Sequence, residues 1–164
     1  MKILISSCLL GEDVRYDGEN SSIAYGSSFT FSQKELFMDI LCENEIYSFC
    51  PEVSGGLETP RDPAEIVNRT KPFIVKTAKE VDVTINFLIG AKNALELCQE
   101  EDIKVALLKA KSPSCGNKEI YDGTFSEKLI EGQGLTAKLL IENDIIVFNE
   151  TQLNELNKFI KTNF

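Results

Sequence analysis

Four short apolar segments alternate along the chain with segments of helical periodicity, and this alternation constrains the fold more than any other feature. The apolar segments are residues 2–6, 46–49, 103–108 and 145–148, and the helical segments are residues 32–44, 83–101, 134–142 and 151–160. The third apolar segment reads IKVALL, apolar apart from Lys104, which is typical of a central parallel strand covered on both faces. The order predicts an α/β fold: a Rossmann-like three-layer domain with a mostly parallel sheet of about four strands.

Capping and turn signals divide the rest of the chain. Ser32 and Glu35 have the spacing of a capping box and predict the start of the first helix. Residues 50–63 (CPEVSGGLETPRDP) contain three prolines and two glycines, so we expect this segment to be irregular. Residues 64–76 favour a small hairpin. Residues 12–30 are polar and predict a long loop over one end of the sheet.

Composition limits the class of protein. With 164 residues, of which 43% are hydrophobic, the chain predicts a single domain over 1–164 with a substantial core. The net charge of −9 argues against a nucleic acid polymer as partner. No apolar run approaches the roughly 20 residues that cross a bilayer, so we expect no membrane partner and a cytoplasmic location. In that compartment, five cysteines are expected as ligands, reactive thiols or core residues, and not as disulfides.

The chain contains no histidine. Its absence excludes Ser-His-Asp and Cys-His nucleophile pairs as well as imidazole-ligated zinc. Any proton transfer must therefore use carboxylate, hydroxyl, thiol, amine or metal-bound water.

Three cysteines follow predicted strands. Cys8 follows residues 2–6, Cys50 follows residues 46–49, and Cys115 lies in the loop after residues 103–108. Because parallel strands end at the same edge of a sheet, three thiols are expected to meet where α/β folds bind ligands. Three soft ligands suggest a metal or cluster with an unfilled position, whereas the alternative is that each thiol packs under its turn. Cys42 and Cys98 lie inside predicted helices and are expected to be core residues.

Six motifs spread over residues 2–148 carry a resemblance to a known family. They are CLLGEDVRYDG, CPEVSGGLETPRDPAEI, DVTINFLIGA, KVALLKAKSPSCG, IYDGTF and GQGLTAKLL. Together they resemble the domain of unknown function family 523 (DUF523), whose known members include thiouracil desulfidases. The resemblance implies an oxygen-sensitive 4Fe-4S cluster, which air can remove, with Cys8, Cys50 and Cys115 as ligands. One iron of that cluster would have no protein ligand and would act as a Lewis acid.

The resemblance also implies catalytic residues. The acid/base carboxylate falls on Glu52 of the CPE motif, and an assisting hydroxyl falls on Ser112 or Ser114 of SPSC. In the expected reaction water attacks the ring carbon that carries sulfur, Glu52 removes a proton from the water, and sulfur leaves as hydrosulfide without net redox change. The alternative for Glu52 is a capping or salt-bridging carboxylate beside Arg61.

The expected substrate is a small thiolated uracil, as a free base or a nucleotide. Some relatives carry a second domain and act on thiolated tRNA. This chain is short and acidic, so we do not expect thiolated tRNA as its substrate. Candidate substrate-binding residues are Arg15, Tyr16, Asp17, Arg61 and Lys111. A guanidinium or ammonium group suits a phosphate, and the tyrosine ring could stack on a pyrimidine. The alternative is that each of these residues only stabilises the conformation of its own loop.

Two alternatives belong to other functional classes. In the first, the same thiolates hold a cluster or zinc in a sensor that responds to oxidants without catalysis. In the second, one cysteine is the nucleophile of a metal-free enzyme that carries persulfide sulfur. The absence of a CxxC pair disfavours a zinc ribbon and a thioredoxin-type dithiol.

Overall fold

A computed structural model of the protein describes residues 1–163. Strands and helices follow in the order β1 (Lys2–Ser6), α1 (Phe31–Glu43), β2 (Glu45–Phe49), α2 (Pro51–Ser54), β3 (Ala64–Asn68), β4 (Ile74–Thr77), α3 (Thr84–Glu100), β5 (Val105–Leu108), β6 (Glu119–Tyr121), β7 (Leu129–Glu131), α4 (Leu135–Glu142), β8 (Ile146–Asn149) and α5 (Leu153–Thr162). Two single 3-10 turns, Ser7–Leu10 and Glu150–Gln152, follow β1 and β8.

The main sheet has four strands in the order β2-β1-β5-β8, and every neighbouring pair is parallel. Ile5 of β1 lies opposite Ser48 of β2 and Leu107 of β5, and Leu107 lies opposite Phe148 of β8. All four strands therefore end at one edge of the sheet. The predicted α/β fold with a parallel sheet of about four strands is confirmed.

Helices cover both faces of the main sheet, as expected for a parallel sheet. Successive β1 residues point to opposite faces: Ile3 and Ile5 pack in one core cluster with residues of α1 and α5, and Leu4 packs in the other with residues of α3 and α4. Burial of each such side chain contributes about 1.5–3 kcal/mol, so the two layers fix the position of β1 and of the turn that follows it.

The two helical cysteines have different environments. Cys98 is 1% exposed and lies in the core cluster on the α3/α4 face, as predicted. The same prediction is wrong for Cys42, which is exposed. The inward residues of α1 are Phe37 and Ile40. Cys42 follows Phe37 by five residues, and at 100° per residue that step turns its side chain away from the core.

The start of α1 differs from the prediction by two residues. Thr30 is the N-cap, and its Oγ1 accepts a hydrogen bond from the Gln33 backbone N–H at 3.2 Å. Gln33 Oε1 in turn accepts from the Thr30 N–H at 2.9 Å. Thr-x-x-Gln thus forms the capping box, and the predicted pair Ser32 and Glu35 lies inside the helix.

Three short elements, α2, β6 and β7, lie outside the predicted strands and helices. Residues 51–54 form the single turn α2, in which Pro51 occupies a first-turn position that requires no N–H donor. Strands β6 and β7 pair antiparallel, but each has only three residues and carries too little pattern to be recognised. The predicted hairpin at residues 64–76 is present as β3 and β4. No helix within residues 1–163 combines the length and apolar character that crossing a bilayer requires.

Candidate active site at the carboxyl edge of the sheet

The structure brings the three predicted ligand cysteines to one cavity. Cys8 lies in the turn that follows β1, Cys50 is the N-cap of α2 directly after β2, and Cys115 lies in the loop after β5. All three line a cavity of about 470 Å³ at the carboxyl edge of the main sheet. Cys8 and Cys115 are buried, Cys50 is half-buried, and all three are free thiols. Their role as ligands stays a prediction.

Close packing of α2 on α3 positions Cys50 and Glu52. A Cβ atom added to Gly90 of α3 would lie 2.0 Å from the carbonyl oxygen of Pro51, so only glycine permits this approach. Asn86 Nδ2 also donates to the carbonyl of Gly55 at 2.9 Å, at the end of α2. The loop that carries Cys50 is thus fixed to the longest helix of the protein.

Burial disfavours ionisation of the thiols. It raises the pKa of Cys8 to about 12, although the positive charge of Lys109 opposes the shift. Burial also raises the pKa of Cys50, which the backbone N–H groups of Val53 and Glu52 oppose. The thiols are therefore protonated near neutral pH when no cation is bound, and a metal must displace these protons to bind thiolates.

The hydroxyl of Ser6 donates to the sulfur of Cys115. Burial raises the pKa of Cys115 to about 12, and this hydrogen bond opposes the shift. Ser6 Oγ lies 3.6 Å from Cys115 Sγ and accepts the backbone N–H of Lys109 at 3.0 Å. The Ser6 hydroxyl can therefore donate to the sulfur while its own lone pair is satisfied. Nothing in the sequence pattern singles out Ser6, which is the last residue of β1.

The two serines of the SPSC motif have distinct roles in one hydrogen-bond chain. Ser112 Oγ accepts the backbone N–H groups of Ser114 at 3.2 Å and of Cys115 at 3.1 Å. Because a hydroxyl has two lone pairs, Ser112 must be the donor in its 2.9 Å contact with Ser114 Oγ. The single hydrogen of Ser114 is then directed to Glu52 Oε2 at 2.9 Å. Of the two serines of this motif, Ser114 is therefore the one that contacts the carboxylate.

The second oxygen of Glu52 pairs with Arg61. Arg61 Nε lies 3.2 Å from Oε1, and the two side chains are only 10% and 16% exposed respectively. Arg61 also donates to the carbonyls of Val14 at 2.8 Å and Glu58 at 3.1 Å and to Thr59 Oγ1 at 3.0 Å. The guanidinium therefore joins the loop after β1 to the loop after α2 and orients Glu52 toward Ser114.

The other predicted substrate-binding residues lie in two groups. Arg15, Tyr16 and Lys111 line the cavity together with Arg61. Asp17 is not among the lining residues; its carboxylate pairs with Arg15 at 3.3 Å and accepts the Glu19 N–H at 3.1 Å. The structure therefore brings four of these five residues to the cavity and gives Asp17 a loop-fixing position.

A partly buried ion pair also adjoins the cavity. Lys109, a lining residue, donates to Glu150 Oε1 at 2.6 Å, and Glu150 Oε2 accepts the Ala110 N–H at 2.7 Å. Glu150 is 7% exposed and follows β8, far from the cysteines in sequence. Only the topology reveals this partner, because β8 lies next to β5 in the sheet.

The donor set suits a cluster better than a single ion. Within residues 1–163 no three Cys, Asp or Glu side chains are grouped closely enough to hold one metal ion. Cysteine ligands of an iron–sulfur cluster bind different irons and therefore lie farther apart than the ligands of one ion. The three thiols that line the cavity are soft donors of the type that such a cluster takes.

Comparisons with known proteins give matches over most of the chain. A family model described as 2-thiouracil desulfurase matches residues 3–152. The Bacillus subtilis protein YbbK is 37% identical over 160 residues, which cover 94% of this chain and 99% of YbbK. The solved structure of TudS, a 4Fe-4S-dependent thiouracil desulfidase, has a TM-score of 0.83 and 42% identity and covers 98% of each chain.

Proposed function

This chain belongs to the 2-thiouracil desulfurase family, and we propose that it hydrolyses the carbon–sulfur bond of a thiolated uracil, as a free base or a nucleotide, and releases hydrosulfide. The observation that carries the proposal is the joint lining of one cavity by Cys8, Cys50 and Cys115 with Glu52 and Ser114. The cavity volume of about 470 Å³ lies in the range that holds small ligands.

Cys8, Cys50 and Cys115 would hold a 4Fe-4S cluster as its three protein ligands. When bound, with one iron free of protein ligands, this group supplies a soft Lewis acid that binds a thiocarbonyl sulfur and makes the adjacent ring carbon electrophilic. The hydroxyl of Ser6 donates to Cys115 Sγ and the positive charge of Lys109 acts on Cys8, so both stabilise negative charge on sulfur.

Glu52 is the general base of the proposed reaction. Its two oxygens accept from Arg61 and Ser114, which fix the plane of the carboxylate beside the cavity. A water molecule between Glu52 and the ring carbon loses one proton to the carboxylate as its oxygen bonds to carbon. Ser114, 1% exposed, holds Glu52 in place without competition from bulk water.

The reaction balances without a redox partner. Water adds to the ring carbon, the carbon–sulfur bond breaks, and the electron pair of that bond leaves with sulfur. One proton of the water passes to Glu52 and the other leaves in hydrosulfide, and the ring gains a carbonyl group. Glu52 then returns its proton to solvent, so no electrons enter or leave the protein.

Lys111 is the best placed of the predicted residues for a nucleotide phosphate. It is exposed, lines the cavity and forms no ion pair within residues 1–163. Arg15 already bonds to Ser21 and Asp17, and Arg61 is occupied by Glu52 and three loop oxygens. We therefore assign Arg15 and Arg61 chiefly to loop and carboxylate positioning, and Lys111 to the phosphate.

The test begins with anaerobic reconstitution and measurement of iron and acid-labile sulfide per chain. The same sample is then assayed for hydrosulfide release from 2-thiouracil and from 4-thiouridine monophosphate. A cluster with release supports the proposal. Incorporation of isotopically heavy oxygen from labelled water into the uracil product, followed by mass spectrometry, tests the hydrolytic step.

Glu52→Gln is the matched control, because it keeps the shape of the side chain and removes the base. It should retain the cluster and lose hydrosulfide release. A parent protein with a stable cluster and no release from either substrate would favour the sensor. Release without any metal would favour the persulfide enzyme.

A further inference from the structure

An aromatic residue outside the predicted set lines the candidate active site. Residues 122–128 connect β6 to β7, and three lining residues, Tyr121, Phe125 and Glu127, come from this hairpin. Phe125 is 37% exposed and lines the cavity of the candidate active site. Its ring is therefore not buried in the protein core and can contact a ligand.

The backbone of this loop is held in an unfavourable conformation. Phe125 has φ 56° and Glu127 has φ 60°, in the left-handed region that bulky residues seldom adopt. Such conformations persist only where the surrounding structure enforces them. The loop conformation must therefore be imposed from outside the loop.

Glu65 of β3 imposes it. This carboxylate is 9% exposed, and its Oε1 accepts the backbone N–H groups of Gly123 at 2.9 Å and of Phe125 at 3.3 Å. The loop also approaches β3 so closely that a Cβ atom on Gly123 would lie 2.6 Å from the Ile66 carbonyl oxygen. A buried acid on one hairpin thus fixes the backbone of Phe125 on another.

We infer that Phe125 binds the pyrimidine ring of the substrate by stacking, and that Glu65 is the residue that positions it. The inference rests on the proposed function for the identity of the ring. A flat heteroaromatic ligand stacks on an aromatic side chain whatever substituents it carries, so the contact suits the thiolated substrate and the uracil product equally. Tyr16, 42% exposed, lines the same cavity from the loop after β1 and supplies a second ring.

Substitution of Phe125 tests the inference through the Michaelis constant. Phe125→Leu keeps an apolar side chain and the strained backbone but removes the ring face. We expect KM for 2-thiouracil to rise about 5- to 100-fold with kcat changed by less than about threefold, because stacking of one base is lost in ground state and transition state alike. Phe125→Tyr should restore the parent KM.

Phe31→Leu is the control, because Phe31 is 76% exposed and is not a lining residue. It should leave both constants unchanged. An unchanged KM in Phe125→Leu, with active parent enzyme, would overturn the inference.

The positioning role of Glu65 has its own signature. Glu65→Gln keeps an acceptor oxygen for the two N–H groups and should retain the parent KM, whereas Glu65→Leu should raise it. If Glu65 acts through Phe125, the double variant Glu65→Leu/Phe125→Leu should be no worse than the more affected single variant. Fully multiplicative effects would overturn the positioning role.

A binding readout separates this inference from the proposed function. The chain contains four tyrosines but no tryptophan, so Phe125→Trp introduces a single tryptophan at the cavity, whose emission can be excited selectively. Titration of the reconstituted variant with uracil and with 2-thiouracil should change its emission saturably, and Phe31→Trp should not respond. A change in emission of Phe125→Trp, without hydrosulfide release by the parent protein, supports the aromatic contact and refutes the desulfidase. Hydrosulfide release by the parent protein, without a change in emission of Phe125→Trp, refutes the aromatic contact alone.

Discussion

Replacing Ser114 with alanine should separate the chemistry of the site from its assembly. Ser114 gives its only hydroxyl hydrogen to Glu52 Oε2 at 2.9 Å, whereas Ser112 holds the backbone of the loop by accepting two N–H groups. Both serines are small, lie two residues apart and line the same cavity. The pair therefore offers one variant that affects the base and one that affects the loop carrying Cys115.

The magnitude follows from the type of hydrogen bond. A bond to a charged acceptor contributes about 1.5–3 kcal/mol, which corresponds to a factor of about 10 to 150 in rate if the carboxylate loses that support in the transition state. Water cannot readily replace the hydroxyl, because Ser114 is 1% exposed. Ser112→Ala instead leaves two backbone N–H groups without their acceptor, at a cost of about 1–3 kcal/mol in folding free energy.

The assay is hydrosulfide release per cluster, with iron content and thermal midpoint measured on the same samples. Ser114→Ala should keep parent iron content and lose about 10- to 150-fold in kcat. Ser112→Ala should lower the thermal midpoint and the iron content, with a smaller loss of kcat per cluster. If Ser114→Ala stays within twofold of the parent, or Ser112→Ala loses as much kcat per cluster, the assigned hydrogen-bond direction is wrong.

Three further results are expected. Replacing Cys8, Cys50 or Cys115 with serine should abolish iron binding. Cys98→Ala should keep iron and lose about 1 kcal/mol of stability, as measured by iron analysis and chemical unfolding. Equal iron content in all four variants would contradict the ligand set. Arg61→Met should lower the unfolding free energy by about 3 kcal/mol, because the largely buried carboxylate of Glu52 loses its cation. A change below about 0.5 kcal/mol in urea titration would show that the pair contributes no more than a solvent-exposed one. Burial raises the pKa of Cys8 and Cys115 from 9.0 to about 12, so these thiols ionise in the unfolded chain before they ionise in the folded protein as pH rises. The unfolding free energy of the metal-free protein should therefore fall by about 1.4 kcal/mol per thiol by about pH 10, and further toward pH 12. Unfolding free energies that stay constant above pH 9 would contradict this.

The parts of the fold with strong periodicity could be predicted from the sequence. Burial on both faces leaves a continuous apolar run in β5, and the stripe of α3 repeats over 17 residues. Short elements could not be predicted in this way. The strands β6 and β7 have only three residues each, and the loop between them is held by Glu65, 58 residues from Gly123, which no local pattern encodes.

The candidate site divides in the same way. Cysteines after parallel strands must approach each other once the strand order is known, so their common cavity could be expected. The choice between Ser112 and Ser114 could not, because it depends on lone-pair saturation by two backbone N–H groups. Phe125 was missed because a phenylalanine in a glycine-containing turn carries no signal of function until the backbone angle and the cavity are known.

The attachment of each thiol to a different strand also sets the order of events during biosynthesis. Cys8 and Cys50 leave the ribosome early, but Cys115 follows β5, and the core cluster that contains Ile3 is complete only when Leu156 and Ile160 of α5 have joined it. A nascent fragment that ends before Cys115 therefore lacks one of the three thiols, and the proposed cluster would be delivered to a nearly finished chain. Because such a ligand binds the native state alone, its loading would also mark completed folding and shift the folding equilibrium toward the native chain.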